Sequence, residues 1–287
     1  MGKSAIGAQN VVTMPAASVQ RPSIKRQRLH DQITRYLAIQ ILRGKLRDGI
    51  PGFSSETELS DYLQVSRTSL RESIKVLAAK GLVEVRPKLG IRLRPREEWN
   101  LMDPDLLDWQ GEAGVDDLFV RNLCEVRLVV ETAACELAAL RGSEKDFAQI
   151  KNAYRQAESL AHDSLAYGEA DIEFHNAIFS ACNNELLKQM STTIGKALRN
   201  VQRLTRHLSP SVGLPLHKAV ADAVCRGDSR AARKAMRTLA VGSAETLYGV
   251  LHPNRPRGWE GLGLELAAEL QVPITRTAKR TRKQPRP

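Results

Sequence analysis

The stretch from Ser54 to Arg94, SSETELSDYLQVSRTSLRESIKVLAAKGLVEVRPKLGIRLR, constrains this chain more than any other. Ser55 followed by Glu58 is a capping box, so a helix is expected to start there, with Leu59, Tyr62 and Leu63 as its apolar stripe. After Gln64-Val65, Ser66 can cap a second helix. In that helix Leu70, Ile74, Leu77 and Ala78 recur at helical spacing, while Arg67, Thr68, Ser69, Arg71 and Lys75 fall largely elsewhere. One side is suited to burial and the other is cationic. Gly81 offers the left-handed conformation that ends a helix, and Leu82 to Val85 and Ile91 to Leu93 alternate as two strands around Lys88-Leu89-Gly90. Two helices followed by a β-wing make a winged helix-turn-helix.

The side chains on this motif suit duplex DNA. Arg67 and Arg71 stand at the start of the second helix, where a major-groove reader places its base-contacting residues. Thr68 and Ser69 carry short hydroxyls for phosphates or base edges, and the capping Ser66 joins them in the candidate set. Lys88 and Gly90 would let the wing approach a backbone closely. The plain alternative makes Arg67 and Arg71 the solvated face of a surface helix, but the agreement of helix order, cap, turn and wing favours a groove.

A formal net charge of +11 agrees with a polyanionic partner, although charge alone would equally suit RNA or an anionic membrane. Aromatic residues are only 5% of the chain and none is interleaved with the basic residues of the helix pair, which argues against a single-strand stacking platform. There is no apolar run long enough to span a bilayer, and Met1 to Gln20 lack the pattern of a secretion signal, so no membrane partner and a cytoplasmic location are expected. Cys124, Cys135, Cys182 and Cys225 are scattered over helical patterns and read as buried hydrophobes in a reducing compartment, not as a disulfide or zinc framework.

With 287 residues and 42% hydrophobic content, one to two domains with a real core are expected. Residues 1–24 read as a disordered extension rich in Ala, Ser, Gly, Gln and Pro. Residues 25–95 form the DNA-binding unit, opened by a helix whose stripe is Leu29, Ile33, Leu37 and Ile41 or Leu42. Residues 96–114, with Pro95 just before them and Pro104 within, are placed as the linker, with Trp99 pinning it to the domain and Arg96 as a secondary DNA contact. Residues 115–252 read as consecutive amphipathic helices, an all-α bundle. Residues 253–287 are a basic, disordered tail that adds non-specific attraction to DNA. The fold class is therefore mainly α: an N-terminal winged helix-turn-helix followed by a helical bundle.

The order ELSDYL, VSRTSLRESIKVLAAKGLVEVRP and a wing glycine resembles the DNA-binding domain of GntR-type bacterial transcription regulators. Further on, REEWNLMDPDLLDW, EVRLVVE, LAALR, ADIEFHNAIF and LHKAVADAV are similar to the FadR subfamily with its helical FCD effector domain, most of all to repressors of the D-galactonate operon. The resemblance spans about Arg26 to Leu247. It implies that Arg67, Thr68, Ser69, Arg71 and Gly90 match DNA-contacting positions. Thr57 occupies a place where some relatives carry a cation, and Phe53-Ser54 replaces the usual Leu-Pro.

Asp171 and His175 are four apart on one expected helix, so both point to one face, and His217 begins a later helix. A carboxylate and two imidazoles are reasonable ligands for one divalent, zinc-like ion. The resemblance implies a metal held by that Asp, that His and two further His residues. This chain departs from the pattern in its last helix, AMRTLAV, where Leu239, or its neighbour Thr238, stands in place of the last histidine. Three readings stay open: a metal on Asp171, His175 and His217, a metal-free polar pocket in which these residues bind the effector directly, and an ordinary helix-surface pair. The resemblance also makes Arg127 the group that clamps an effector carboxylate bidentately, against the alternative of a salt bridge to Glu125 or Glu131. Asn176 and Arg203 are further candidates for lining the cavity.

The sequence thus points to a homodimeric transcription regulator on a palindromic double-stranded operator, released by a small carboxylate or sugar-acid effector. The rival is a metal-dependent helical-bundle enzyme acting on a small organic acid. It lacks the paired Glu-x-x-His motifs of carboxylate-bridged bundles and any nucleophile–base constellation.

Overall fold

The computed structural model describes residues 29–46, 55–86, 90–205, 207–208 and 213–253. The expectations for residues 1–24, Lys88, the Phe53-Ser54 pair and the tail after Pro253 therefore lie outside the described residues.

Helix α1 (Leu29–Leu42) buries Ile33, Thr34, Leu37, Ala38 and Ile41. It packs against α3 (Arg67–Ala79), which with α2 (Glu56–Leu63) makes the reading pair. Ser55 caps α2, its Oγ accepting from the Glu58 amide at 3.1 Å, and Ser66 caps α3 by accepting from the Ser69 amide at 3.1 Å. The turn between them is made by Gln64 in the left-handed region, φ 53°, with its backbone N–H bonded back to α2. Leu70, Ile74 and Leu77 of α3 are fully buried, each stabilising the packing by about 1.5–3 kcal/mol.

Strands β1 (Val83–Arg86) and β2 (Gly90–Leu93) pair antiparallel, Val83 opposite Leu93 and Arg86 opposite Gly90. Gly81, which ends the α3 turn at φ +79°, has no room for a side chain: a Cβ there would lie 2.5 Å from the Glu98 carbonyl. That close approach lets the segment after the wing fold back against α3, where the Trp99 indole donates to the Arg94 carbonyl at 2.9 Å.

Residues 96–114, expected as a linker, fold into a short 3-10 turn and then helix α4 (Pro104–Ala113). Asp103 caps α4 and Pro104 starts it, a fixed-φ residue where its missing N–H costs nothing. Leu106 and Trp109 of α4 enter the core of the DNA-reading unit, and Leu107 enters the core of the following bundle. One helix is thus packed into both units.

The bundle consists of α5 (Asp117–Arg141), α6 (Glu144–Ser159), α7 (Ser164–Ala181), α8 (Glu185–Thr205), α9 (Leu214–Cys225) and α10 (Ser229–Leu251). Leu214 and Pro215 form the first turn of α9, where the missing N–H of proline costs no helix hydrogen bond. The core is built from Val120, Cys124, Cys135, Ile150, Ile172, Phe174, Phe179, Leu198, Val220 and Met236, among others. All four cysteines are free. No helix among the described residues is long and apolar enough to cross a membrane.

Candidate functional site

The exposed face of α3 and a cavity in the bundle hold Arg67, Thr68, Ser69 and Arg71, and Arg127, Asp171 and His217, respectively. On α3, Arg67, Thr68 and Arg71 are exposed and Ser69 is half-buried. Ser69 Oγ also accepts from Ser66 Oγ at 2.9 Å, so the two serines hold the first turn of the helix. Arg71 reaches across to α2, its Nε and Nη2 donating to Glu56 Oε2 at 3.1 and 2.8 Å. That contact raises the Arg71 pKa, the hydrogen bond to Glu56 being the main cause. Thr57, on the first turn of α2, is exposed. Gly90 opens β2 at φ +75°, the conformation that lets the wing turn. Arg96 is paired instead with Asp116 at 2.8 Å and packed on Trp99, so it is held back towards the bundle.

The second locus is a cavity of about 200 Å³ between α7, α8, α9 and α10. Asp171, Tyr167 and Ser164 of α7, Gln202 and Thr205 of α8, His217 of α9, and Ser243 and Thr246 of α10 give it polar walls. Leu198, Val201, Leu216, Leu239 and Leu247 give it apolar ones. Leu239, not Thr238, is the residue of AMRTLAV that faces the cavity, where it offers no donor atom.

Asp171, His175 and His217 do converge, each offering a ligand atom within 4.8 Å of the others. His217 Nε2 lies 2.6 Å from Asp171 Oδ1, and His175 Nε2 lies 3.8 Å from the same oxygen. The Nδ1 of His217 sits 2.8 Å from the Gly213 carbonyl, which fixes Nδ1 as the donor and turns Nε2 inward. Burial works against the Asp171 carboxylate, but His217, His175 and Arg127 outweigh it and hold its pKa well below the usual carboxylate range. For His217 burial likewise opposes the charged form, and Asp171 outweighs it and raises the pKa.

The triad fits a divalent cation on one further observation. His175 Nε2 is buried with no hydrogen-bond partner, 3.8 Å from Asp171 Oδ1, and Oδ1 itself faces both imidazoles without an aligned hydrogen bond. Buried polar atoms that approach one another without aligned hydrogen bonds are costly unless something they all face satisfies them. One carboxylate oxygen and two imidazole nitrogens would suit a zinc-like ion with its remaining positions open to water or an oxygen ligand.

The candidate effector residues lie differently with respect to the open space. Arg127 lines the cavity, but its Nε and Nη2 donate to Glu131 at 2.7 and 3.4 Å, so the two-pronged face proposed for an effector is taken by a carboxylate of its own helix. His175 sits behind the cavity wall, adjoining Asp171 and Glu131, and does not line the open space. Neither Asn176 nor Arg203 lines it either: Asn176 bonds Glu173 at 3.3 Å and Arg203 bonds the Gly111 carbonyl at 3.3 Å.

Sequence reasoning did not place Glu131 in the site, nor Gln202, whose Nε2 donates to Asp171 Oδ2 at 3.3 Å and to the Gly168 carbonyl at 3.2 Å. Glu131 had a visible signal, lying four residues after Arg127 on one helix face. Gln202 had none.

Helix α8 has a second face. Opposite Leu198 and Gln202, Lys196 pairs with Asp108 at 2.8 Å and Asn200 Nδ2 donates to the Leu107 carbonyl at 2.7 Å, both partners on α4. The Asn200 carboxamide fills the space a side chain at Gly111 would need. At its start α4 is held to the end of α3, where Lys80 pairs with Asp103 at 2.8 Å and Asp105 at 2.7 Å. At its end it is held to α1, with Arg35 paired to Glu112 and Arg43 Nη2 donating to the Glu112 carbonyl at 2.9 Å. Cavity, α8, α4 and reading helix are therefore connected by direct contacts throughout.

Comparison with known proteins agrees with this layout. Residues 29–93 match the family model described as bacterial regulatory proteins, gntR family, and residues 122–241 match the FCD domain. The chain is 34% identical over 221 residues to the galactonate operon transcriptional repressor of Escherichia coli (strain K12), covering 76% of this chain and 96% of that protein. It is 29% identical over 221 residues to the HTH-type transcriptional regulator LutR of Bacillus subtilis (strain 168), covering 75% and 99%. A solved structure of Lar, described as controlling expression of the Listeria monocytogenes agr system, superposes at TM-score 0.55 over 78% of this chain and 98% of that one. At 20% identity that likeness speaks for the fold alone. These relatives are regulators, and nothing among them supports the enzyme reading.

Proposed function

Because the chain belongs to the GntR family of bacterial regulatory proteins, in the branch that carries an FCD domain, it is a DNA-binding transcription regulator, and we propose that it is a homodimeric repressor of a sugar-acid catabolic operon. Two copies would each set α3 into a major groove of a palindromic operator in the cytoplasm. Arg67, Thr68, Ser69 and Arg71 are the residues proposed to meet DNA, together with Ser66, Thr57, Lys88 and Gly90.

The effector is a small carboxylate, most simply a sugar acid, bound in the cavity. Arg127, Asp171 and His217 would meet it, and the hydroxyls of Ser164, Thr205, Ser243 and Thr246 suit a polyhydroxylated ligand. With Arg127 already paired to Glu131, the expected contact from that residue is a single one through Nη1 together with its charge. A divalent ion on Asp171, His175 and His217 would take a ligand oxygen directly. An effector moves the balance between two states only if it binds them unequally. The route by which it could do so is α8, which has the cavity on one face and α4 on the other.

The observation that carries this reading is the cavity itself: lined by hydroxyls, Asp171 and His217 among apolar side chains, beside a buried arginine, and joined to the reading helix through α4. A thermal-shift screen across aldonates and other sugar acids tests it. At least one acid should raise the midpoint in a dose-dependent way, by about 2.7 kcal/mol of stabilisation at a hundred times its Kd. A panel in which no acid does so refutes the effector class. Elemental analysis of protein purified without chelator tests the metal: a small fraction of an equivalent would remove it.

A further inference from the structure

Glu131 is the most deeply buried charged residue of the site, with a side chain 1% exposed, and sequence gave it no role beyond a partner for Arg127. Its two oxygens face different groups. Oε1 accepts from Arg127 Nε at 2.7 Å. Oε2 lies 3.1 Å from His175 Nδ1, and Nε2 of that ring is turned to the Asp171 and His217 donors. Glu131 thus stands between the arginine at the cavity wall and the histidine behind it.

We propose that Glu131 is a positioning residue for a divalent cation: its carboxylate holds the His175 ring with Nδ1 outward and Nε2 towards Asp171 and His217, and its negative charge offsets that of Arg127 beside the cation. The inference rests on the reading of Asp171, His175 and His217 as a metal site. A histidine that ligates through one nitrogen needs its other nitrogen fixed, and a carboxylate behind the ring both sets the tautomer and makes the ligand more basic; loss of such a partner typically costs about 10–100-fold in metal affinity. Arg127 is drawn to the same carboxylate, and as a cation it opposes a second positive charge near Asp171. The two members of one ion pair therefore act on metal binding with opposite sign.

That opposition separates positioning from simple structural support. Zn²⁺ affinity would be measured on the full-length protein by competition with a chromophoric chelator, after removal of bound metal. Glu131→Gln should weaken Zn²⁺ binding by about 10–100-fold. Arg127→Met, which breaks the same ion pair, should bind Zn²⁺ more tightly than the parent. If Glu131→Gln fails to fold because Arg127 is left unpaired, the double variant Arg127→Met/Glu131→Gln leaves neither charge buried alone, and it should bind Zn²⁺ at least tenfold more weakly than Arg127→Met. Co²⁺ in place of Zn²⁺ should show an altered visible spectrum in Glu131→Gln, as expected for a reoriented imidazole. Weakening of Zn²⁺ by both single variants, or affinities within twofold of the parent for Glu131→Gln and of Arg127→Met for the double variant, overturns the proposal while leaving the metal site standing. A parent protein that binds no Zn²⁺ overturns both.

Discussion

Arg71 and Arg127 are both paired with a glutamate, and the two pairs behave as opposites. Arg71 and Glu56 hold each other at the surface, with 61% and 26% of their side chains exposed. Arg127 and Glu131 hold each other inside the bundle, at 6% and 1%. In water an ion pair gains little, so Arg71 can leave Glu56 for a phosphate or a base edge at small cost. Inside the protein the charges have already lost their hydration, and removing one leaves the other stranded. The first pair keeps a DNA-reading side chain ordered yet available. The second is fixed, and so can hold an arginine and a histidine in place around a ligand.

The largest expected effect lies on the buried side of this contrast. Glu131→Ala leaves Arg127 uncompensated and should lower unfolding stability by about 3–5 kcal/mol in urea denaturation. A loss as small as that of a surface charge would show that water reaches the pair and would erase the distinction. On the exposed side, Arg71→Ala should reduce operator affinity by roughly 10–100-fold in a gel shift, the range for a lost base contact, with an unchanged denaturation midpoint. Unchanged affinity would remove Arg71 from the reading face.

Between the two regions stands the Lys80–Asp103 pair, partly buried at the joint of α3 and α4. Burial pushes the Asp103 carboxyl up, but Lys80 and the amides of Leu106 and Asp105 outweigh it and lower its pKa. A carboxylate depressed on folding contributes stability above its unfolded pKa and loses that contribution as pH falls through its folded value. Asp103→Ala should therefore cost about 1–2 kcal/mol near neutral pH, as for a lost helix cap, and progressively less below about pH 4. A cost independent of pH would assign the effect to packing alone. The smallest effect is expected from Glu56→Gln, which frees Arg71 and should raise DNA affinity by no more than about fivefold. A decrease would mean that Glu56 orders Arg71 for binding instead of competing for it.

The same contrast marks what could be read from the sequence. Local signals were legible: Ser55 and Ser66 cap the helices they were expected to cap, and Asp171 and His175 share a face because they are four apart on α7. Helix α4 carried its own signals in Asp103-Pro104 and in Leu106, Leu107 and Trp109, but two prolines in a charged stretch read more readily as a joint. Contacts between helices were not legible. Nothing in the order of residues places Glu131 of α5 against His175 of α7, because that depends on how two helices cross. The choice between Thr238 and Leu239 also needed the rotation of α10. The absent fourth histidine was plain from sequence; the residue facing the cavity in its place was not.

The central claim is that a small anion in the bundle controls the hold of α3 on DNA. Fluorescence anisotropy of a labelled operator, selected from a random pool by this protein and titrated with a panel of sugar acids at fixed salt, tests it most directly. At least one acid should release the operator from the parent protein in a dose-dependent way, and the double variant Arg127→Met/Glu131→Gln, which leaves neither charge buried alone, should keep its grip on DNA while losing that response. Release by no acid, or release from the double variant at the same concentrations as from the parent, would contradict the account.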